Sequence, residues 1–231
     1  MIGAMKTLLA SLLVALAWSA GAQSDVTVLP VEQTPYHVPV FRNDLMTVLN
    51  VFIPPHRTSG FHRHVLDTVG VLITDTPRTG QIPGAEPTVT APRPRGSVNF
   101  SAYSRQENVH AVTVTGDGPF HNIVVELMRP SAGTFTPSTR GTGYELVLDN
   151  ERVSVWRLVL APGQEASAIT QTAPGLRIVV DGGELIESAP GKADRGMAPR
   201  SGEFFWQDAG ATRAVRNVGT TRLELVELEL K

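Results

Sequence analysis

His62 and His64 flank a single residue, Arg63, just ahead of the apolar stretch Thr68 to Ile73, and His110 opens a later stretch of the same kind. Residues i and i+2 of a strand face the same way, so both imidazoles can address one ion while Arg63 points away. Two nitrogens hold a metal poorly, and His110 supplies the third if the sheet curls to bring the two strands together. Neutral imidazoles in an open site suit Fe, Mn, Ni, Cu or Zn as one divalent transition metal, and geometry rather than composition selects among them. The same trio could instead be polar residues satisfied by hydrogen bonds in a core.

The nearest acid, Asp67, has the opposite strand parity to His64 and reaches the metal only through a bulge or turn. Without it, three histidines would share the ion with water. Glu107, three residues before His110, is a candidate general base or an exposed loop acid. The other histidines are set aside. His56 follows Pro54 and Pro55 in a turn and is expected to be solvated, His121 falls on the face opposite His110, and His37 precedes the strands without an evident partner.

These residues sit in a chain of many short elements. Alternating or β-branched stretches recur at Leu45 to Ile53, Thr68 to Ile73, Val109 to Thr115, Asn122 to Leu127, Val153 to Leu160, Leu176 to Val180 and Leu223 to Leu230, each bounded by Pro, Gly, Asp or Asn. With 21 Gly and 17 Pro and no long amphipathic helix pattern, the expectation is an all-β sandwich or barrel. Residues 74–96 and 181–202, rich in Gly and Pro, read as surface connections, with one short strand at Thr88 to Thr90 and the capacity to rim a pocket.

The chain also repeats itself. Asn43 to Pro55 aligns without gaps on Asn150 to Pro162, and His110 to Gly116 aligns on Arg213 to Gly219. Each second match leads into a strand with the same ending, Glu126-Leu127 and Glu229-Leu230. Two ordered matches with similar offsets indicate duplication. All six histidines lie in the first copy, so one working half and one altered half are expected.

Residues 1–22 read as a secretory signal: Lys6, the apolar run Thr7 to Ser19, then Ala20-Gly21-Ala22. Thirteen helical residues rise only about 20 Å, short of a bilayer core of roughly 30 Å. Cleavage after Ala22 would expose Gln23 and place the chain in a periplasm or outside the cell. The sequence contains no cysteine, which rules out thiolate ligands, thiol catalysis and disulfides. A formal charge of −2, one unit lower without Lys6, gives nucleic acid or an anionic membrane nothing to bind. The expected partner is a small molecule.

The histidine pair, the third histidine and the duplication together resemble the cupin superfamily, specifically bicupins. A family barrel carries Gly, five residues, His-x-His, three or four residues, Glu, six residues, Gly; then Gly, five residues, Pro-x-Gly, two residues, His, three residues, Asn. The first copy matches at His62, His64 and His110, and Gly96 can open the second motif. It departs at His56 for the first Gly, at Ala102 and Ser104 for Pro and Gly, and at Val114 for Asn. The second copy keeps Gly163, Gly202, Gly210 and Asn217, with Asp208 for Pro. Arg213 takes its histidine position, where it could pair with an anion, Glu203 or Asp208. Ile169 and Gln171, or Thr170 and Thr172 with one gap, replace its histidine pair.

The resemblance implies two tandem double-stranded β-helix (jelly-roll) barrels, over residues 23–135 and 136–231, with metal in the first only. It implies an oxidoreductase, dioxygenase-like, acting on a small organic molecule, with homodimers common in the family. A sugar- or organic-acid-binding protein without turnover, and a metal-free structural bicupin, are the other expectations.

Overall fold

The computed structural model describes residues 26–129, 133 and 135–231, so the expected signal over residues 1–22 lies outside the described part. Ten strands make the first barrel: β1 (Leu29–Pro30), β2 (His37–Arg42), β3 (Met46–Ile53), β4 (His62–His64), β5 (Thr68–Thr74), β6 (Arg78–Gln81), β7 (Thr88–Val89), β8 (Val98–Ser101), β9 (Asn108–Val114) and β10 (Phe120–Leu127). Nine make the second: β11 (Tyr144–Asp149), β12 (Val153–Leu160), β13 (Ile169–Thr170), β14 (Gly175–Asp181), β15 (Leu185–Ser188), β16 (Arg195–Met197), β17 (Phe204–Gln207), β18 (Thr212–Asn217) and β19 (Leu223–Leu230). The described residues hold no α-helix, only a 3-10 turn at Val31–Gln33.

Each barrel is closed by two sheets. In the first their strand orders are β1-β4-β9-β6-β7 and β2-β3-β10-β5-β8. In the second they are β13-β18-β15-β16 and β11-β12-β19-β14-β17. The duplication is visible in the register. Met46 opposes Leu127 in the antiparallel pair β3–β10, and Val153 opposes Leu230 in β12–β19, so corresponding residues meet corresponding partners.

The β2-β3-β10-β5-β8 and β11-β12-β19-β14-β17 sheets pack face to face, and two-residue alternation divides their side chains. Met46, Val48, Val69, Val71, Ile123 and Val125 meet Val153, Val155, Leu176, Ile178, Val226 and Leu228 in one core between the barrels. Residues of opposite parity turn inward: Leu49, Val51, Ile53 and Leu72 line the first barrel, and Leu158, Leu160, Val179, Leu223 and Leu225 the second. Burial on both faces is why these strands read as nearly continuous apolar runs.

The connections expected at residues 74–96 and 181–202 are corrected by the structure. They contain β6 with β7 and β15 with β16, and β6 and β15 pair with β9 and β18 as barrel wall. Arg78 of β6 is buried, paired with Asp75 and placed 4.6 Å over the Phe120 ring. Stretches such as Arg78-Thr-Gly-Gln81 lack apolar alternation, and a neighbouring strand supplies what local propensity does not.

Alternation also buries a carboxyl group. Glu126 of β10 is 2% exposed on the inward face, below Asn122 and Val124. Burial, reinforced by the Glu32 carboxylate and opposed by the Arg42 guanidinium, raises its pKa from 4.5 to about 7. Because the folded chain holds this proton more tightly than the unfolded one, the group contributes its full stability below pH 4.5 and loses it as pH rises through 7. Glu126→Gln is expected to raise the melting temperature at pH 8 by roughly 5 °C, with the gain disappearing near pH 4.5, as read by thermal denaturation at the two pH values.

Candidate metal centre

β4 and β9 bring the three histidines together. They are antiparallel neighbours in which His62 lies directly opposite His110, and His64 shares its face with His62 two residues along the strand. Ring centroids are 4.5 Å apart for His62–His110, 5.0 Å for His62–His64 and 5.2 Å for His64–His110. One ligand nitrogen from each ring lies within 4.8 Å of the other two. Nitrogens on one tetrahedral ion stand about 3.4 Å apart, a separation that small ring rotations can reach.

The protonation states favour a cation. Burial lowers the pKa of all three, and mutual repulsion lowers those of His64, to about 2, and His110, to about 4. All three imidazoles are therefore neutral at ordinary pH. His62 donates from Nδ1 to the Gly60 carbonyl at 3.0 Å, which fixes its proton there and leaves Nε2 as a buried lone pair without a hydrogen-bond partner. His64 Nδ1 is likewise buried and unpartnered, and its ring stacks on Tyr103 at 5.1 Å. The Asn108 amide lies against His110 Nδ1. It is the amide nitrogen that faces the ring; amide nitrogen and oxygen are interchangeable by a half-turn, after which the oxygen would accept Nδ1–H and free Nε2. Carbonyl and amide partners of this kind orient imidazoles for metal.

The remaining expectations divide. The two oxygens of Asp67 accept a 2.9 Å hydrogen bond from Ser104 N and an ion pair from Arg152 of the second barrel, so this carboxylate is not brought to the histidines. Its parity turns it toward the seam, and no bulge reverses it. Burial tends to raise its pKa, but the Ser104 hydrogen bonds and the Arg152 cation outweigh this and hold it below the usual carboxylate value. Glu107 is exposed, 3.8 Å from Arg63, and turned away from the cavity. His56 is exposed beside Asp117, and His121 bonds Asn50 on the outer face of the sheet, both as expected.

His37 was missed. It is buried on β2, its ring 4.3 Å from His62 and 6.4 Å from His64, with Nδ1 on Thr34 and the Pro35 carbonyl. Burial, then His62, lowers its pKa to about 3. Its signal was the alternating run His37-Val-Pro-Val-Phe-Arg42, which places His37 at the start of a strand pairing with β3.

The cluster opens into a cavity of about 750 Å³ lined by His37, His64, His110, Tyr103, Asn99 and Asn122 among others. Gly70 keeps it open on one side: a Cβ there would lie 2.8 Å from Asn99 Oδ1. Among the described residues the second barrel has no equivalent histidine cluster. Ile169 opposes Arg213 as His62 opposes His110, which selects the ungapped alignment, and Gln171 then stands for His64. Arg213 binds Glu227 at 3.2 Å, in place of the expected Glu203 or Asp208.

No protein-family model matches the chain, and no curated protein matches it by sequence. Solved structures do share its fold. A cupin 2 conserved barrel domain protein from Leptotrichia buccalis aligns with TM-score 0.51 and 10% identity over 84% of this chain and 87% of that one. Salicylate 1,2-dioxygenase from Pseudoaminobacter salicylatoxidans aligns with TM-score 0.54 and 12% identity over 80% and 68%. Oxalate decarboxylase from Lactobacillus farciminis aligns with TM-score 0.55 and 9% identity over 81% and 77%.

Removing one partner of a buried ion pair strands the other charge. Arg152→Met is therefore expected to cost about 3 kcal/mol of folding stability, read as a lower urea midpoint.

Proposed function

We propose that this chain, which has the two-barrel cupin fold, is an exported metal-dependent oxidoreductase of the dioxygenase type acting on a small organic molecule in its first barrel. The observation that carries the reading is the convergence of three neutral imidazoles, His62, His64 and His110, two of them with buried unpartnered ring nitrogens, with His64 and His110 on the wall of one large cavity and His62 buried behind them. Those three residues would hold one divalent ion of Fe, Mn, Ni, Cu or Zn. Such an ion supplies an open coordination position at which a chelating oxygen substrate, or dioxygen, is activated. With Asp67 committed to Arg152, the donor set is nitrogen only.

The chain's own residues provide the rest. Asn122 Oδ1 is buried without a hydrogen-bond partner and, with Asn99 and Arg93, offers polar contacts to an oxygen-bearing ligand. Arg93 reaches Asn99 at 3.0 Å, which fixes that amide across the cavity from the histidines. Val51, Ile53, Val112 and Phe120 supply the apolar remainder of the lining and exclude water from a bound molecule. Dioxygenase and decarboxylase activities in the names of proteins sharing the fold support metal chemistry in such a barrel.

Protein purified from its native compartment is expected to carry one metal ion per chain. His62→Ala combined with His64→Ala should reduce that to trace while the second barrel stays folded. Dioxygen uptake with a panel of phenolic and enolic compounds then separates turnover from simple binding, and metal content unchanged by the double substitution would sink the reading.

The same proposal places the barrels at residues 23–135 and 136–231, with residues 1–22 removed on export. N-terminal sequencing of the exported protein should begin at Gln23, and retention of Met1 on cytoplasmic protein would remove export from the proposal.

A further inference from the structure

The interior of the second barrel is occupied by charge. Arg140, Arg177 and Arg213 have side chains no more than 4% exposed, and they share that interior with the buried carboxylates Glu227 and Glu229. Glu227 accepts from all three guanidiniums, at 2.5, 2.8 and 3.2 Å. Glu229 is taken by Arg140 and by Ser138 N and Oγ. A third acid, Glu187, binds Arg177 at 2.7 Å from a position 23% exposed.

Donors still outnumber acceptors. Arg213 Nε and Nη1 and Arg177 Nη2 are buried without hydrogen-bond partners, and Arg213 has only the longest of the contacts to a carboxylate already shared. Guanidinium stays charged and presents its N–H groups as a planar fork that fits a carboxylate. Unpartnered N–H groups on a buried cation are costly, which favours any anion able to reach them.

Arg177 and Arg213 both lie at the wall of a cavity of about 820 Å³, lined also by Met197 and Phe205, with exposed Lys192 and Arg195 at its rim. Its volume falls in the range of small-molecule sites. Both acids on its lining are already engaged, Glu187 by Arg177 at 2.7 Å and Asp208 by the Trp206 indole at 2.7 Å.

We propose that the second barrel binds a small organic carboxylate, its anionic end received by Arg177 and Arg213 and its apolar body lying against Met197 and Phe205. The anion would take, in this barrel, the place that the imidazoles of β4 and β9 define in the first, because Arg213 holds the register position of His110. The rim cations draw anions toward the opening.

Isothermal titration of the mature protein with benzoate tests this. Saturable binding is expected, benzyl alcohol giving no comparable heat. Arg213→Met should weaken benzoate at least tenfold. Because loss of Arg213 could disturb the buried charge network, Ala211→Trp provides a second test: it fills the cavity from an exposed lining position and leaves the guanidiniums in place, and it too should abolish binding. Absence of saturable binding, equal heats from benzyl alcohol, or benzoate affinity retained in Ala211→Trp would each overturn the proposal.

Discussion

Everything in this molecule depends on two sheets buried on both faces. β3, β5 and β10 pack against β12, β14 and β19, and each strand sends every second side chain into that common core and the alternate ones into a barrel. A strand constrained in this way cannot slip by one residue, because the slip would exchange the two faces along its whole length. The barrel interiors therefore have fixed addresses. Asn122, Val124 and Glu126 must look inward, and so must Arg177, Glu227 and Glu229, whatever chemistry those positions carry.

Fixed addresses allow one scaffold to host two interiors. Where the first barrel has Gly70, the second has Arg177 at the same place on the corresponding strand, and where the first has His110 the second has Arg213. The first interior is open, with neutral imidazoles at its wall. The second carries guanidiniums and carboxylates that match in charge but leave several guanidinium N–H groups without partners. The shared shell is apolar and tolerant, so the difference rests on a handful of inward positions that the packing between barrels does not constrain.

The sequence showed those features that obey a strict period. The long strands, the duplication and the shared face of His62 and His64 all follow from a repeat of two, and the parity of Asp67 already pointed away from the ion, toward what proved to be Arg152. Features that depend on partners distant in the chain were hidden. β6 and β15 lack apolar alternation and are strands only because β9 and β18 lie beside them. His37 joins the cluster because β2 pairs with β3, 14 residues apart in the pairing of His37 with Val51, and no local pattern connects it with His62. The charge network of the second barrel is written in Glu227 and Glu229, which alternate with Leu as on a solvated face. Here that face lines an interior.

The contact between Asp67 and Arg152 ties the turn that follows His64 to the opposite barrel. A half without histidines thus braces the half that has them. For a duplicated gene this changes what decay can do: the second copy is free to drift at its inward positions, but its deletion would take a strut from beneath the first. Such a dependence would make the second copy a structural requirement of the first, whatever its own interior does.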